Sequence, residues 1–92
     1  MNELEEYRQQ IQLINNDLLH LLKKRLDVVM EIGNLKKRNN IPIRNEFVEI
    51  NQIKELMKMG GEIGLDTEFV EDVFKQIIAY AVKVQEKIGK GI

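Results

Sequence analysis

Residues 18–38, LLHLLKKRLDVVMEIGNLKKR, decide the fold. Their apolar residues recur at alternating steps of three and four, which is the period of an amphipathic helix. The same seam extends toward the N-terminus and comprises Leu4, Tyr7, Ile11, Ile14, Leu18, Leu21, Arg25, Val28, Ile32 and Leu35. It holds one guanidinium, at Arg25, where the pattern calls for a leucine. We predict a single helix from about Asn2 to Arg38, which Ile41-Pro42 prevents from continuing.

Two further helices are predicted beyond the proline. Asn45 is a suitable N-cap for a helix from Glu46 to Met59, and Gly60-Gly61 are expected to end it. Asp66 is a suitable N-cap for a third helix from Thr67 to about Ile88. No stretch shows the alternation of a half-buried strand, so the predicted fold class is all-α.

The lengths of the three helices favour an oligomer. The first helix has about 37 residues and is roughly 55 Å long, whereas the others have about 14 and about 22 residues. Neither can cover the whole apolar seam, so we predict one long, one short and one medium helix in an intertwined homodimer. The alternative is a monomer whose first helix kinks at Gly33. Either way, residues 1–92 are expected to form a single domain.

Composition excludes several classes of function. The chain has 14 basic and 15 acidic residues and a formal charge of −1, so no global field attracts nucleic acid or an anionic membrane. It has no cysteine, which excludes disulfides, thiolate metal sites and cysteine nucleophiles. The apolar runs are too short to span a membrane, and the N-terminus is unlike a signal peptide. We therefore expect a cytoplasmic protein.

Covalent and metal-dependent catalysis are also disfavoured. The one histidine, His20, lies opposite Arg25 on the helical wheel, and we expect it to be exposed. No Ser-His-Asp set, metal-ligand cluster or glycine-rich phosphate loop is present. Any chemistry would have to come from positioned cations and amides that act on a small, multiply anionic substrate.

Several polar residues lie on otherwise apolar faces. Arg25, Ile32 and Lys36 fall within about 20° of one another on the wheel, and the two cations are about 16 Å apart along the axis. Arg25 needs a carboxylate from another helix or from a ligand, because an unpaired charge on a packing face is rarely buried. Gln85 lies on the apolar stripe of the third helix. Taken singly, Lys36 could be a solvated lysine at a helix end, and Gln85 an edge residue.

Two charged residues have ordinary explanations when taken alone. Glu49 could complement the dipole at the start of the second helix, and Arg8 could be a solvated arginine. Arg8 is some 25 Å along the helix from Arg25, so it cannot serve the same pocket within one chain. In an antiparallel symmetric dimer, Arg8 of the other chain could do so.

The chain resembles the small all-helical (AroQ-type) chorismate mutases over nearly its whole length. The matching segments are LEEYRQQIQLINNDLLHLLKKRLDVVMEIGNLKK, the Ile-Pro break, the short helix that bears Glu49, and LDTEFVEDVFKQIIAYAVKVQ. The family's motif positions correspond here to Arg8, Arg25, Gly33 to Lys36, and Gln85.

This resemblance implies a Claisen-type rearrangement of chorismate to prephenate without a metal or other cofactor, and a small-molecule substrate that is chorismate or a close analogue. Arg25 and Arg8 of the partner chain would hold the two substrate carboxylates. Lys36 and Gln85 would donate to the ether oxygen, and Glu49 would hold the ring hydroxyl. The implied role is in aromatic amino acid biosynthesis, through the shikimate pathway.

The remaining positions of the implied pocket include departures from the family pattern. Ile32 would form part of the wall. Asn45 stands where the family commonly has Asp, Val48 where it has Arg, and Ala81 where some members have Ser. Arg44 could compensate by folding back toward the site.

These departures leave other functions open. The same fold could act as an isochorismate pyruvate lyase or as an aminodeoxychorismate mutase, since the segment from Arg44 to Glu49 would contact the ring substituents. It could also be a helical dimerisation or regulatory module without activity, for which Val48 is the main argument. The presence together of five motif residues argues against that last alternative: Arg8, Arg25, Lys36, Glu49 and Gln85.

Overall fold

The computed structural model describes residues 2–91. Within that range it contains three α-helices and no strand: α1 (Glu3–Arg38), α2 (Glu46–Glu62) and α3 (Thr67–Gly89). Their lengths are 36, 17 and 23 residues, so the predicted all-α chain with one long, one short and one medium helix is confirmed. None of the three is long and apolar enough to cross a membrane.

The helix starts follow from their capping residues. The Asn2 side chain accepts a hydrogen bond from the Glu5 N–H at 2.8 Å. Asn45 accepts from the Val48 N–H at 3.1 Å, and Asp66 accepts from the Glu68 N–H at 2.8 Å. Each cap satisfies a backbone donor that the first helical turn leaves free. The predicted N-caps at Asn45 and Asp66 are therefore confirmed.

The predicted end of the second helix was wrong. Instead of stopping at Met59, α2 continues through Gly60-Gly61 to Glu62. The chain leaves the helix at Gly64, whose φ is 91° and which therefore takes the left-handed conformation that glycine tolerates. The Leu65 N–H donates to the carbonyl oxygen of Gly60 at 2.9 Å, and the Gly64 N–H donates to that of Gly61 at 3.1 Å. This pair of hydrogen bonds is a Schellman motif, which accounts for the later stop.

Gly60 lies inside α2 because α3 passes close to it. A Cβ atom at this position would lie only 2.6 Å from Cγ2 of Val70. Val70 is 4% exposed, so its branched side chain has little room to move away. The glycine thus serves the packing of α2 against α3 rather than the end of the helix.

α3 forms the middle of the structure. It packs against α1 on one side and against α2 on the other, while α1 and α2 are not in contact. The buried apolar side chains are Val29, Ile53, Val70 and Ile78. The contribution of α1 to this core therefore begins at Val29, in the C-terminal half of the helix.

The N-terminal half of α1 has no cover within the chain. The helix runs through Gly33 without interruption, and the structure measures 57 × 28 × 14 Å. Its radius of gyration is 16.7 Å, whereas a compact chain of this length would have about 12 Å. Because α1 is continuous through Gly33, the structure does not show the kinked first helix that the monomer alternative requires. The exposed apolar side chains before Lys23 are Leu4, Tyr7, Ile11, Leu13, Ile14, Leu18, Leu19, Leu21 and Leu22.

A Gly60→Ala substitution tests the close packing of α2 on α3. Replacing a helical glycine by alanine normally stabilises a helix by about 0.5–1 kcal/mol. Here the added methyl group meets Val70, and overpacking of this kind costs about 1–3 kcal/mol. We expect a lower free energy of unfolding, measured by urea denaturation followed by circular dichroism at a fixed protein concentration. Met59→Ala, at the exposed neighbouring position, is the control and is expected to change stability little. A Gly60→Ala protein as stable as the wild type would contradict this packing.

Candidate active site

Lys36 is held in place by two acceptors from different parts of the chain. Its Nζ donates to the Ile43 carbonyl oxygen at 2.7 Å and to Oε1 of Gln85 at 3.1 Å. Asn40 has a φ of 53° and turns the chain back after α1, and the Ile41 N–H donates to the Lys36 carbonyl at 2.9 Å. This turn brings the Ile43 carbonyl toward the ammonium group. Because an ammonium group has three N–H donors, one remains for a ligand.

Gln85 is the buried polar side chain of residues 2–91, with 7% of its surface exposed. Its carbonyl oxygen accepts from Lys36, and its Nε2 donates to the Val29 carbonyl oxygen at 3.5 Å. The amide therefore lies between α1 and α3, as expected for a polar group that must find partners when it is buried. The alternative of an edge residue at a helix end does not fit this burial.

Gly33 makes room for that arrangement. A Cβ atom at Gly33 would lie 3.2 Å from Cγ of Gln85 and 3.0 Å from Cδ1 of Ile88. A side chain here would press on both residues, so glycine lets α3 lie close to α1 beside Lys36. The sequence marks Gly33 as a possible kink and as part of a motif, but its contact with Gln85 depends on how α3 packs against α1.

A second cluster joins the segment between α1 and α2 to the first turn of α2. Nη2 of Arg44 donates to Oε1 of Glu49 at 2.9 Å, and Nε donates to Oε2 at 3.3 Å. The hydrogen bond to Glu49, and then its negative charge, raise the pKa of the Arg44 guanidinium above its ordinary value. The Asn45 side chain is engaged as the N-cap of α2, and Val48 is exposed.

Arg25 is half-buried beside a groove of about 430 Å³ between α1 and α3, which Tyr80 and Ala81 also line. Among residues 2–91, no carboxylate oxygen lies within 4.0 Å of the Arg25 guanidinium, the limit for an ion pair. Of the two partners expected for Arg25, a carboxylate from another helix of the same chain is therefore absent. The guanidinium remains available to an anion from outside the chain.

Two further expected site residues are exposed on α1. Arg8 has a 65% exposed side chain and lies 3.8 Å from a carboxylate oxygen of Glu5. Ile32 is exposed on α1. His20 is exposed as expected, and its Nδ1 lies 2.8 Å from the Asn16 carbonyl oxygen.

The arrangement suits the binding of a small anion through charge and hydrogen bonds. It offers one free N–H on Lys36, the unpaired guanidinium of Arg25 and the amide of Gln85. No group of His, Cys, Asp or Glu side chains in the described part of the chain could hold a metal ion. The sequence could not reveal the carbonyls of Ile43 and Val29 as contributors, because a backbone acceptor has no residue type to mark it.

Comparison with known proteins gives a family match. Residues 7–86 match the family described as "Chorismate mutase type II". The chain is 32% identical over 87 residues to a "Bifunctional chorismate mutase/prephenate dehydratase" of Buchnera aphidicola subsp. Schizaphis graminum. The matched region covers 95% of this chain and 23% of that protein.

Two further relatives are similar over most of this chain. The Escherichia coli K12 protein of the same description is 28% identical over 87 residues, with 95% of this chain and 22% of the relative covered. A "T-protein" of Enterobacter agglomerans is 33% identical over 76 residues, with 83% and 20% covered. The chain thus spans less than a quarter of the length of these three curated relatives. It belongs to the type II chorismate mutase family.

Proposed function

We propose that this chain catalyses the rearrangement of chorismate to prephenate. The observation that carries the proposal is the hydrogen bond between Lys36 and the buried Gln85, which joins residues 49 positions apart at the base of a cationic site. Family membership supports chorismate as the substrate, since two of the relatives above are named for chorismate mutase activity.

The reaction asks little of the protein besides positioning and charge. Within one molecule, the ether C–O bond breaks while a new C–C bond forms, so no atom is gained or lost and no nucleophile is needed. Negative charge grows on the ether oxygen as its bond to the ring breaks. The free N–H of Lys36 and an N–H of Gln85 donate to that oxygen in the proposed complex. Donors fixed before the reaction stabilise such charge without further reorganisation.

Arg25 and Arg8 would bind the two carboxylates of chorismate. Arg25 is half-buried and has no acid partner in its own chain, which suits a substrate carboxylate. In the proposal the second carboxylate is held by the Arg8 of a second copy. Ile32 and Ala81 contribute apolar surface to the pocket, and Asn45 fixes the start of α2 beside it.

A symmetric homodimer is part of the proposal. The exposed apolar side chains of the N-terminal half of α1 form a continuous strip, and removing such a strip from water is favourable. A second copy carries the same strip and can cover it by two-fold symmetry. This arrangement would also bring the partner's N-terminal half of α1, with its Arg8, toward the open site.

The segment from Arg44 to Glu49 bears on which substrate is used. Glu49 would accept a hydrogen bond from the ring hydroxyl, whose position differs between chorismate and isochorismate. Because Val48 adds no charge to this wall, the lyase reaction on isochorismate is the alternative to be tested beside the mutase reaction.

Assays with purified protein test the function directly. We expect loss of chorismate and formation of prephenate, and no formation of salicylate and pyruvate from isochorismate. Arg25→Ala and Lys36→Ala should each lower kcat/KM for chorismate by at least about 100-fold, as does removal of a donor that acts in the transition state. Lys37→Ala, which removes an exposed lysine next to Lys36, should behave like the wild type.

A protein that converts neither chorismate nor isochorismate would contradict the proposal. Production of salicylate and pyruvate would favour the lyase instead. An effect below about tenfold from both substitutions would show that Arg25 and Lys36 do not form the site.

Sedimentation equilibrium at micromolar concentration tests the dimer. We expect twice the chain mass of 10.8 kDa. Ile11→Lys places a charge in the exposed apolar strip and should yield monomers, because a buried unpaired charge is costly. Gln9→Lys introduces the same charge on the opposite side of α1 and is the control. A wild-type chain that remains monomeric at this concentration would remove the role proposed for Arg8.

A further inference from the structure

Arg44 and Glu49 form a contact that the proposed chemistry does not by itself require. The guanidinium approaches side-on, so that its Nε and Nη2 each meet a different oxygen of the carboxylate, at 3.3 and 2.9 Å. Two parallel hydrogen bonds fix both the position of a carboxylate and the plane in which it lies. A lysine at this position could not do the same, because its ammonium group lacks the planar fork.

The exposures of the two side chains differ in a way that suggests their roles. The Glu49 side chain is 21% exposed and the Arg44 side chain is 56% exposed. Glu49 is thus the less exposed member of the pair. An exposed ion pair adds little to stability. Loss of Arg44 should therefore affect what Glu49 does more than whether the chain folds.

The chain position of Arg44 links this pair to Lys36. Arg44 directly follows Ile43, whose carbonyl accepts from Lys36 Nζ at 2.7 Å. Ile43 and Arg44 are thus consecutive residues that bind groups on two different helices. Ile43 binds the ammonium group of α1, and Arg44 binds the carboxylate of α2. The N-cap at Asn45 ties the same segment to the first turn of α2. Among residues 2–91, Arg44 is the cation within ion-pair distance of Glu49.

We propose that Arg44 is the positioning residue for Glu49: it orients the carboxylate so that its free lone pairs accept from the ring hydroxyl of the substrate. This inference rests on the proposed function. Each oxygen of a carboxylate has two lone pairs, so an oxygen that accepts from Arg44 can still accept from a substrate hydroxyl. Arg44 therefore acts through Glu49 and does not bind a substrate carboxylate itself.

A double-mutant cycle on chorismate turnover separates these two roles. Arg44→Ala is expected to lower kcat/KM by about tenfold in the wild-type background, and to have almost no further effect in a Glu49→Ala background. Arg44→Lys should remain impaired, because charge without the fork does not fix the carboxylate plane. Arg38→Ala is the control: it removes another exposed guanidinium, one without an acid partner among the described residues.

The outcomes that overturn the proposal are distinct. Equal losses from Arg44→Ala in both backgrounds would indicate direct substrate binding or a general structural role. An Arg44→Ala or Arg44→Lys protein as active as the wild type would show that the fork is not needed. Circular dichroism melts of each variant report whether the loss comes from unfolding.

NMR can detect the contact between Arg44 and Glu49 without an activity assay. In ¹⁵N NMR spectra the Arg44 Nε–H signal should exchange slowly with water, and Glu49→Ala should abolish that protection. If the wild type turned over no chorismate, the proposed function would fall, while this signal would still report on the pair. A fast-exchanging Nε–H in the wild type would contradict the positioning role.

Discussion

The N-terminal half of α1 buries none of its apolar side chains against its own chain, and this constraint governs the rest of the structure. α1 has 36 residues, but its buried positions are Val29 and Gly33, both in the C-terminal half. α2 and α3 are too short to cover the other half, so nine large apolar side chains face solvent in the isolated chain. Surface of this kind and extent on one helix is a feature of interfaces rather than of free monomers. This strip is the surface that the second copy of the proposed homodimer would cover.

The same constraint explains why the site is open. Lys36 and Gln85 are fixed by hydrogen bonds within the chain, and Glu49 is fixed by Arg44, so these groups keep their geometry before any ligand arrives. Arg25 stands at the edge of the groove between α1 and α3 without a partner. The chain thus supplies a preorganised floor and one free guanidinium. In the proposed dimer, Arg8 of the partner chain supplies the second carboxylate-binding group.

Much of this could be predicted from the sequence, because helical periodicity and capping residues are local signals. The seam from Leu4 to Leu35 and the caps at Asn45 and Asp66 predicted the three helices. The end of α2 could not be predicted correctly from Gly60-Gly61, because Gly60 lies against Val70 and Gly61 against Thr67, both on α3. Gly64, three residues beyond Gly61, was the true signal, since its positive φ completes the C-terminal motif.

The site shows the same division between local and tertiary information. Arg25 and Gln85 stood out as polar residues on apolar stripes, and Gln85 is indeed buried. Their partners could not be read from spacing. The Ile43 carbonyl depends on the turn at Asn40, and the room left by Gly33 depends on how α3 lies on α1. The pairing of Arg44 with Glu49 needed the geometry of the intervening turn as well as the two charges.

Subunit mixing tests most directly whether each active site takes residues from two chains, as proposed above. Arg8→Ala and Lys36→Ala chains, each nearly inactive alone, are unfolded together and refolded as a mixture. If Arg8 acts across the interface, every mixed dimer has one intact site, and the mixture should regain about a quarter of wild-type activity. A Lys36→Ala and Gln85→Ala mixture is the control and should regain none, because those two residues meet within one chain. The shared site would be contradicted if the Arg8→Ala and Lys36→Ala mixture were no more active than the two variants measured separately.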